Sequence, residues 1–380
     1  MKHYHYIFAG SGLSSLMVVY RMVLCGEFAN KRILLIDTDT KKSNDRTWCF
    51  WEKGAGNWDS IISKRWNTAL FAGEHYRREL DFGGYSYKMI EGLDFYNFVF
   101  TELKKHPNVE FINQKISGYK DEGTKVSVST EEASFTCEKL FNSIYNPLAV
   151  EANKKYPLLL QHFTGWHIRT KAPVFNDALP TFMDFSIPQK GNTRFMYVLP
   201  TSSTEALIEY TLFSKDLLSS NEYDDSIKEY IADLGITEYE IMYSEKGSIP
   251  MTSYPFWKHN TKNVLNIGTA GGWTKASTGY TFKNADKKAK SLISFLLKEN
   301  DFSKFHKKNK FWFYDLLLLD ILDRTNEKGA AIFSDLFRSG DAAIIFKFLD
   351  EETSLAEDLK VILKCPKTPF LQALFRRVAK

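Results

Sequence analysis

Cysteine is scarce: four in 380 residues (Cys25, Cys49, Cys137 and Cys365), widely spaced and without a C-x-x-C pair. Such spacing suggests neither a zinc site nor a disulfide framework, and it suits a reducing cytoplasm. An excess of one charge is also missing. Lys plus Arg number 50 against 46 Asp plus Glu, a net +4 that is too balanced to suggest nucleic-acid binding. No window of ~18 consecutive apolar residues exists, which argues against a spanning helix. Met1 to Ala9 lacks the charged, apolar and cleavage segments of a signal peptide, so none is expected. Internal repeats and low-complexity tracts are absent as well. Aromatic residues are abundant: 30 Phe, 19 Tyr and 8 Trp suit a large apolar pocket, although core packing accounts for most of these rings.

A prior of ~100–200 residues per domain points to two or three closely joined units. Tyr4 to Ala9 reads as a short buried strand ending in Gly10-Ser11-Gly12. A helical pattern follows from Leu13 to Cys25, then an apolar strand, Arg32 to Ile36, closed by Asp37. Strand, glycine turn, helix and strand make one βαβ unit of a parallel sheet. In that context Gly10-x-Gly12-x-x-Ser15 is a dinucleotide fingerprint rather than an ordinary tight turn. Gly10 permits the turn, and Gly12 lets backbone approach a pyrophosphate. Ser15 is a small replacement for the third glycine. The helix N-terminus presents free N–H groups to phosphate. Asp37 sits where an acid bonds ribose hydroxyls, which favours FAD or NAD over NADP in this slot without separating the first two.

Beyond it, Ser43 to Trp58 is loop-like, and from about Leu158 to Ser248 alternating strands suggest an antiparallel, substrate-facing sheet. A second glycine turn follows the Val264–Ile267 strand: Gly268-Thr269-Ala270-Gly271, then Thr278-Gly279 at the start of a helix. A distant second set of backbone donors suits flavoproteins of the glutathione-reductase or hydroxylase type, and so selects FAD. The alternative is a turn that merely permits close packing. The expected fold is therefore α/β. A Rossmann-like FAD-binding domain (1–80, 109–150 and 260–300) joins an antiparallel substrate domain (81–108 and 151–259) and a helical C-terminal region (301–380).

Several ordered stretches resemble the flavin-dependent lycopene beta-cyclases. They are Asn44 to Trp51, Thr193 to Pro200 with Ala206 to Thr211, Gly247 to Met251, and Gly268 to Tyr280. They follow family order from about residue 4 to residue 282. The resemblance implies a proton-initiated cyclisation of lycopene to β-carotene through a one-ringed intermediate, with no net redox change. It implies reduced FAD as cofactor, NADPH or another donor as reductant, and a linear carotenoid as partner. It also implies cofactor contacts from Ser11, Leu13 and Arg46 in addition to the glycine-turn residues.

Protonating an unactivated alkene at pH 7 needs an acid whose pKa burial has raised. Glu209 lies mid-strand between Ile208 and Tyr210, on the face of Leu207 and Thr211. From the residues alone it is a buried acid, a solvent-facing strand position, or a partner of Arg194. The family's central motif selects it as the catalytic acid. Phe348-Leu349-Asp350-Glu351-Glu352-Thr353 looks like the plant-type acidic signature, but it lies beyond the second glycine turn and reads as a charged helix end or surface turn. Trp48, Trp51 and Trp166 are candidate pocket rings for stabilising a carbocation. A membrane-soluble substrate implies peripheral contact with the inner face of the cell membrane. Phe311 to Leu319, beside Lys307, Lys308 and Lys310, is either a buried core helix or a membrane-dipping one. The competing readings are an FAD-dependent monooxygenase, an isoprenoid-chain reductase, or a carotenoid-binding flavoprotein without turnover.

Overall fold

The computed structural model describes residues 1–378. Ile33–Asp37 is apolar at almost every position because both of its faces are covered, as in central parallel strands. It lies between the parallel strands Val109–Asn113 and Lys2–Ala9, and the latter pairs in parallel with Ser134–Asn142. Ser134–Asn142 divides its outer edge. Its first half pairs antiparallel with Val126–Thr130, and its second half pairs in parallel with Val264–Asn266. The helix Leu13–Cys25 buries Leu16, Met17, Val19 and Met22 on this sheet and ends at Gly26 in the left-handed conformation. Phe282–Leu296 packs beside it through Ala285, Ala289 and Leu292.

A second seven-stranded sheet runs in the order Tyr239–Met251, Leu159–Thr170, Glu205–Ser214, Thr193–Pro200, Thr181–Asp184, Thr68–Gly73 and Tyr76–Asp81. All its pairs are antiparallel except Thr181–Asp184 with Thr68–Gly73. One face is covered by the helix Ser220–Asp233, where Trp166, Ile208 and Tyr210 meet Tyr223, Ile227 and Tyr230. On the other face, Phe71, Phe182, Phe185 and Phe195 pack with Phe333, Phe337 and Phe346 from the C-terminal helices. The expected α/β layer, antiparallel sheet and helical C-terminal region are all present.

Several local expectations change. Within the loop-like stretch, Thr47–Lys53 is a strand, paired with Tyr85–Glu91 in a three-stranded sheet. The helix Ser220–Asp233 interrupts what reads as strands alone; Ser219 caps it, and its apolar side is hidden among acids. Residues 68–80, grouped with the nucleotide-binding segment by position, join the second sheet, because Thr68–Gly73 pairs in parallel with Thr181–Asp184 and antiparallel with Tyr76–Asp81. The helix Gly92–Leu103, grouped with the substrate segment, instead buries Phe95, Val99 and Leu103 in the core of the first sheet. Each reassignment depends on a partner far away in sequence. Phe311 to Leu319 lies in the helix Lys310–Arg324, which buries Phe311, Leu316, Leu319 and Leu322. The core-helix alternative holds. Among the described residues no helix is long and apolar enough to cross a membrane.

Candidate functional site

A cavity of about 550 Å³ runs from the two glycine turns to the second sheet. Gly12, Leu13, Ser14, Gly268, Thr278 and Gly279 line one end. Gly10 has φ +92°, and a side chain there would collide with Ser143. The helix Leu13–Cys25 begins at Gly12 with no side-chain cap, so its first-turn amides are open to the cavity. Gly268, at φ +60°, brings the second turn against Ser14, and Gly279, at φ +72°, leaves no room for a Cβ beside Gln161. Gln161 Oε1 and Thr278 Oγ1 are buried without hydrogen-bond partners among the described residues. Both residues line the cavity. The uncapped helix N-terminus suits the phosphates of a dinucleotide, and the two orphaned atoms in the same cavity offer a carbonyl acceptor and a hydroxyl to its uncharged groups.

The other residues singled out from sequence frame this end. Ser11 N and Oγ donate to Asp37 Oδ2 at 2.6 and 3.0 Å, and Lys41 Nζ lies 3.5 Å from the same oxygen. Asp37 thus ties the first turn to its strand and does not line the cavity, whereas Asp39 and Asp45 do. Ser15 is fully buried under the helix, where its small size permits close packing. Ala270 and Gly271 form the tight turn behind Gly268, with Gly271 against the Asn266 carbonyl. Arg46 lines the mouth and pairs with Asp45 at 3.2 Å.

Glu209 lines the opposite end, 9% exposed, with Leu207 and Phe213 beside it. Arg194 is on the other face and bonds Tyr210 Oη at 2.6 Å, so it does not pair with Glu209. Thr211 Oγ1 donates to Glu209 Oε1 at 2.5 Å. Burial, reinforced by the negative charge of Glu245 and only partly opposed by Thr211, pushes the Glu209 carboxyl up to about 8. Its surroundings thus favour the neutral acid over the carboxylate.

Three tyrosines that sequence reasoning passed over complete the wall. Tyr87 Oη bonds Tyr197 Oη and lies 3.4 Å from Tyr280 Oη. Burial raises all three hydroxyls far above their ordinary range, leaving neutral rings. Two of them stood inside recognised motifs, but nothing local distinguished them from core tyrosines. Of the candidate tryptophans, Trp48 lines the cavity. Trp51 instead stacks on Phe346 at 4.7 Å, and Trp166 is on the far face of the sheet.

The C-terminal acids are elsewhere. Glu351 and Asp315 clamp the buried Lys275 at 3.0 and 2.9 Å, and Glu352 pairs with Lys287 at 2.7 Å. Neither Glu351 nor Glu352 lines the cavity. Glu351 does more than a surface turn would, because it anchors the second glycine element to the C-terminal helices.

Among solved structures, a halogenase in complex with phloroglucinol and FAD shares the fold, with a TM-score of 0.60 at 11% identity over 97% of this chain and 87% of that one. A geranylgeranyl bacteriochlorophyll reductase-like protein from Thermoplasma acidophilum matches with a TM-score of 0.59 at 12% identity, covering 100% and 98%. The p-nitrophenol 4-monooxygenase of Pseudomonas putida gives 0.58 at 13%, covering 96% and 98%. These likenesses concern fold alone. In sequence, the lycopene beta-cyclase of Pantoea ananas is 24% identical over 289 residues, 73% of this chain and 71% of that protein. The enzyme of the same name from a Paracoccus strain is 30% identical over 135 residues, 33% of each chain. The family model described as lycopene cyclase protein matches residues 6–375, spanning both glycine turns, the strand of Glu209 and the C-terminal helices. The chain belongs to the lycopene cyclase protein family.

Proposed function

We propose that this protein is a lycopene beta-cyclase, with Glu209 as the acid that starts ring closure. The observation that carries the reading is a buried carboxyl, held neutral at pH 7, at the apolar end of a cavity whose other end suits a dinucleotide. Glu209 delivers its proton to the terminal trisubstituted alkene of a linear carotenoid. The resulting tertiary cation is attacked by the neighbouring double bond, and a ring-adjacent proton is lost, so substrate and product are isomers. Tyr87, Tyr197, Tyr280 and Trp48 offer aromatic faces worth ~0.5–2 kcal/mol each to a cation. They provide no ionised nucleophile to trap it.

FAD is the proposed cofactor, held by Gly10, Ser11, Gly12, Leu13 and Ser15 at the first turn. Asp37 and Arg46 lie near its rim, with Gly268, Ala270, Gly271, Thr278 and Gly279 at the second turn. Bound and kept reduced by NADPH or another donor, it supplies negative charge beside the cation without net electron transfer.

Access to a membrane-soluble substrate is assigned to the C-terminal helices. Leu355, Leu359 and Leu363 recur at helical spacing, 59–68% exposed, and Leu371, Phe375 and Val378 repeat the pattern at 52–71%. Lys360, Lys364 and Lys367 are exposed nearby, as expected of a surface that rests on anionic lipid.

The test is expression in bacteria that accumulate lycopene, with pigments separated by chromatography. β-Carotene is expected from the wild type, unchanged lycopene from Glu209→Gln that retains FAD, and normal conversion from Glu352→Gln. Soluble, FAD-loaded wild-type protein that leaves lycopene untouched refutes the cyclase reading.

A further inference from the structure

Glu245 has no part in the reaction as assigned, yet it is only 7% exposed and lines the same cavity as Glu209. Three neighbouring strands explain why the two acids meet. Gly165 is in register with Glu209 on one side and with Glu245 on the other, so all three positions face the same way. Any larger residue in the middle would place a side chain between the carboxyls. A methyl there would stand 3.3 Å from Glu245 Cγ, 3.4 Å from Glu209 Cβ and 2.7 Å from Leu207 Cδ1. Gly165 does not have a positive φ. Glycine therefore supplies space at this position rather than backbone freedom.

The groups around the pair offer little to neutralise two charges. Among the described residues, no lysine or arginine lies within ion-pair distance of either carboxyl. His167 Nε2 is the nearest cationic candidate, 3.8 Å from Glu245 Oε2, beyond hydrogen-bond reach and without another partner. Its ring stacks on Tyr243 at 3.9 Å. Thr47 Oγ1 donates to Glu245 Oε2 at 2.8 Å, just as Thr211 serves Glu209. The remaining titratable neighbours, Cys49 and Tyr280 near Glu209 and Glu91 near Glu245, carry no positive charge. Burial and the nearby charge of Glu245 therefore both disfavour ionisation of Glu209.

We infer that Glu245 is a positioning residue for the acid: across the gap at Gly165, the two carboxyls hold a single proton and keep it available to a hydrocarbon in the cavity. The inference rests on the reading of Glu209 as proton donor. Donation to the alkene leaves the pair with two negative charges. The proton shed from the ring-adjacent carbon restores the count, so the pair returns to its starting state after each turnover.

The experiment is the pH profile of kcat for lycopene presented in liposomes to the FAD-loaded protein. It is paired with an infrared titration of protonated carboxyl groups in the same protein. In Glu245→Gln the alkaline limb of the profile should move to lower pH by about one unit or more, with activity recovered on acidification. Glu245→Asp should hold the limb near its wild-type place, and Gly165→Ala should shift it as Glu245→Gln does. A rate lowered equally at every pH, with the limb unmoved, is what a merely structural role gives, and it overturns the inference. The infrared titration needs no turnover. One carboxyl proton should survive well above the ordinary carboxylate range in the wild type, and Glu209→Gln and Glu245→Gln should each alter that signal. Absence of such a proton in the wild type overturns the inference even where Glu245→Gln does not fold. A wild type that retains the shared proton but leaves lycopene unchanged sinks the cyclase reading and spares the pair.

Discussion

Substituting glutamine for Glu209 keeps the shape of the side chain and removes its ionisation, so its effect on stability follows from the raised pKa. In the folded protein the carboxyl releases its proton near pH 8, against an ordinary value of 4.5. Between these values the folded chain keeps a proton that the unfolded chain has lost. The wild type therefore loses stability as pH rises through this window and levels off above it. Each unit of separation is worth about 1.4 kcal/mol, so from pH 5 to pH 8 the loss from this one group is about 3 kcal/mol. Glu209→Gln has no such loss. Urea denaturation of both FAD-loaded proteins at pH 5 and pH 8 reads the effect of removing this carboxyl together with its coupling to Glu245. The variant's stability relative to the wild type should rise by about 3 kcal/mol between the two conditions. A difference that is the same at both pH values refutes the neutral buried acid, whatever happens to activity.

Lys275→Met should cost about 3–5 kcal/mol in urea denaturation, because it leaves the buried Asp315 and its neighbour Glu351 without their cation. Gly279→Ala forces a Cβ toward Gln161 at a positive φ and should lower the FAD content of the purified protein, read from flavin absorbance, while the fold is retained. The pair Leu359→Ser and Phe375→Ser removes two exposed apolar contacts. It should weaken sedimentation with anionic vesicles several-fold while leaving the unfolding midpoint almost unchanged.

What could be read from the sequence follows the range of the forces involved. The first βαβ unit was legible because its signals are local: an apolar strand, a glycine turn, a periodic helix and a terminal acid all lie between Lys2 and Asp37. Glu209 was legible as an oddity, an acid between apolar strand residues, and strand alternation correctly put it on the face of Leu207 and Thr211. Its partner was not. Glu245 looks like an ordinary acid among polar neighbours until the register through Gly165 aligns it with a residue on the next strand but one. The strand Thr47–Lys53 was hidden for a similar reason, since its partner Tyr85–Glu91 supplies the pairing that its own composition does not announce. The C-terminal apolar run was legible as a core helix, but not where its neighbours would lie. Leu319 joins the sheet's apolar cluster and Phe311 packs on Phe348, and the exposed apolar face falls on the two later helices, where leucines are spaced among lysines.

The divided edge of Ser134–Asn142 also bears on how the molecule is made. Its far half, Leu140 to Asn142, is completed only by Val264–Asn266. A chain emerging from the ribosome therefore carries this strand end with its outer edge open, paired only to Lys2–Ala9, until the whole second sheet has been synthesised. The last strand to arrive is the one that leads into the second glycine turn, so the nucleotide-binding sheet and the cavity mouth close in a single late event. Fragments that stop short of residue 264 should pair through that open edge with one another and aggregate, however well their first βαβ unit forms.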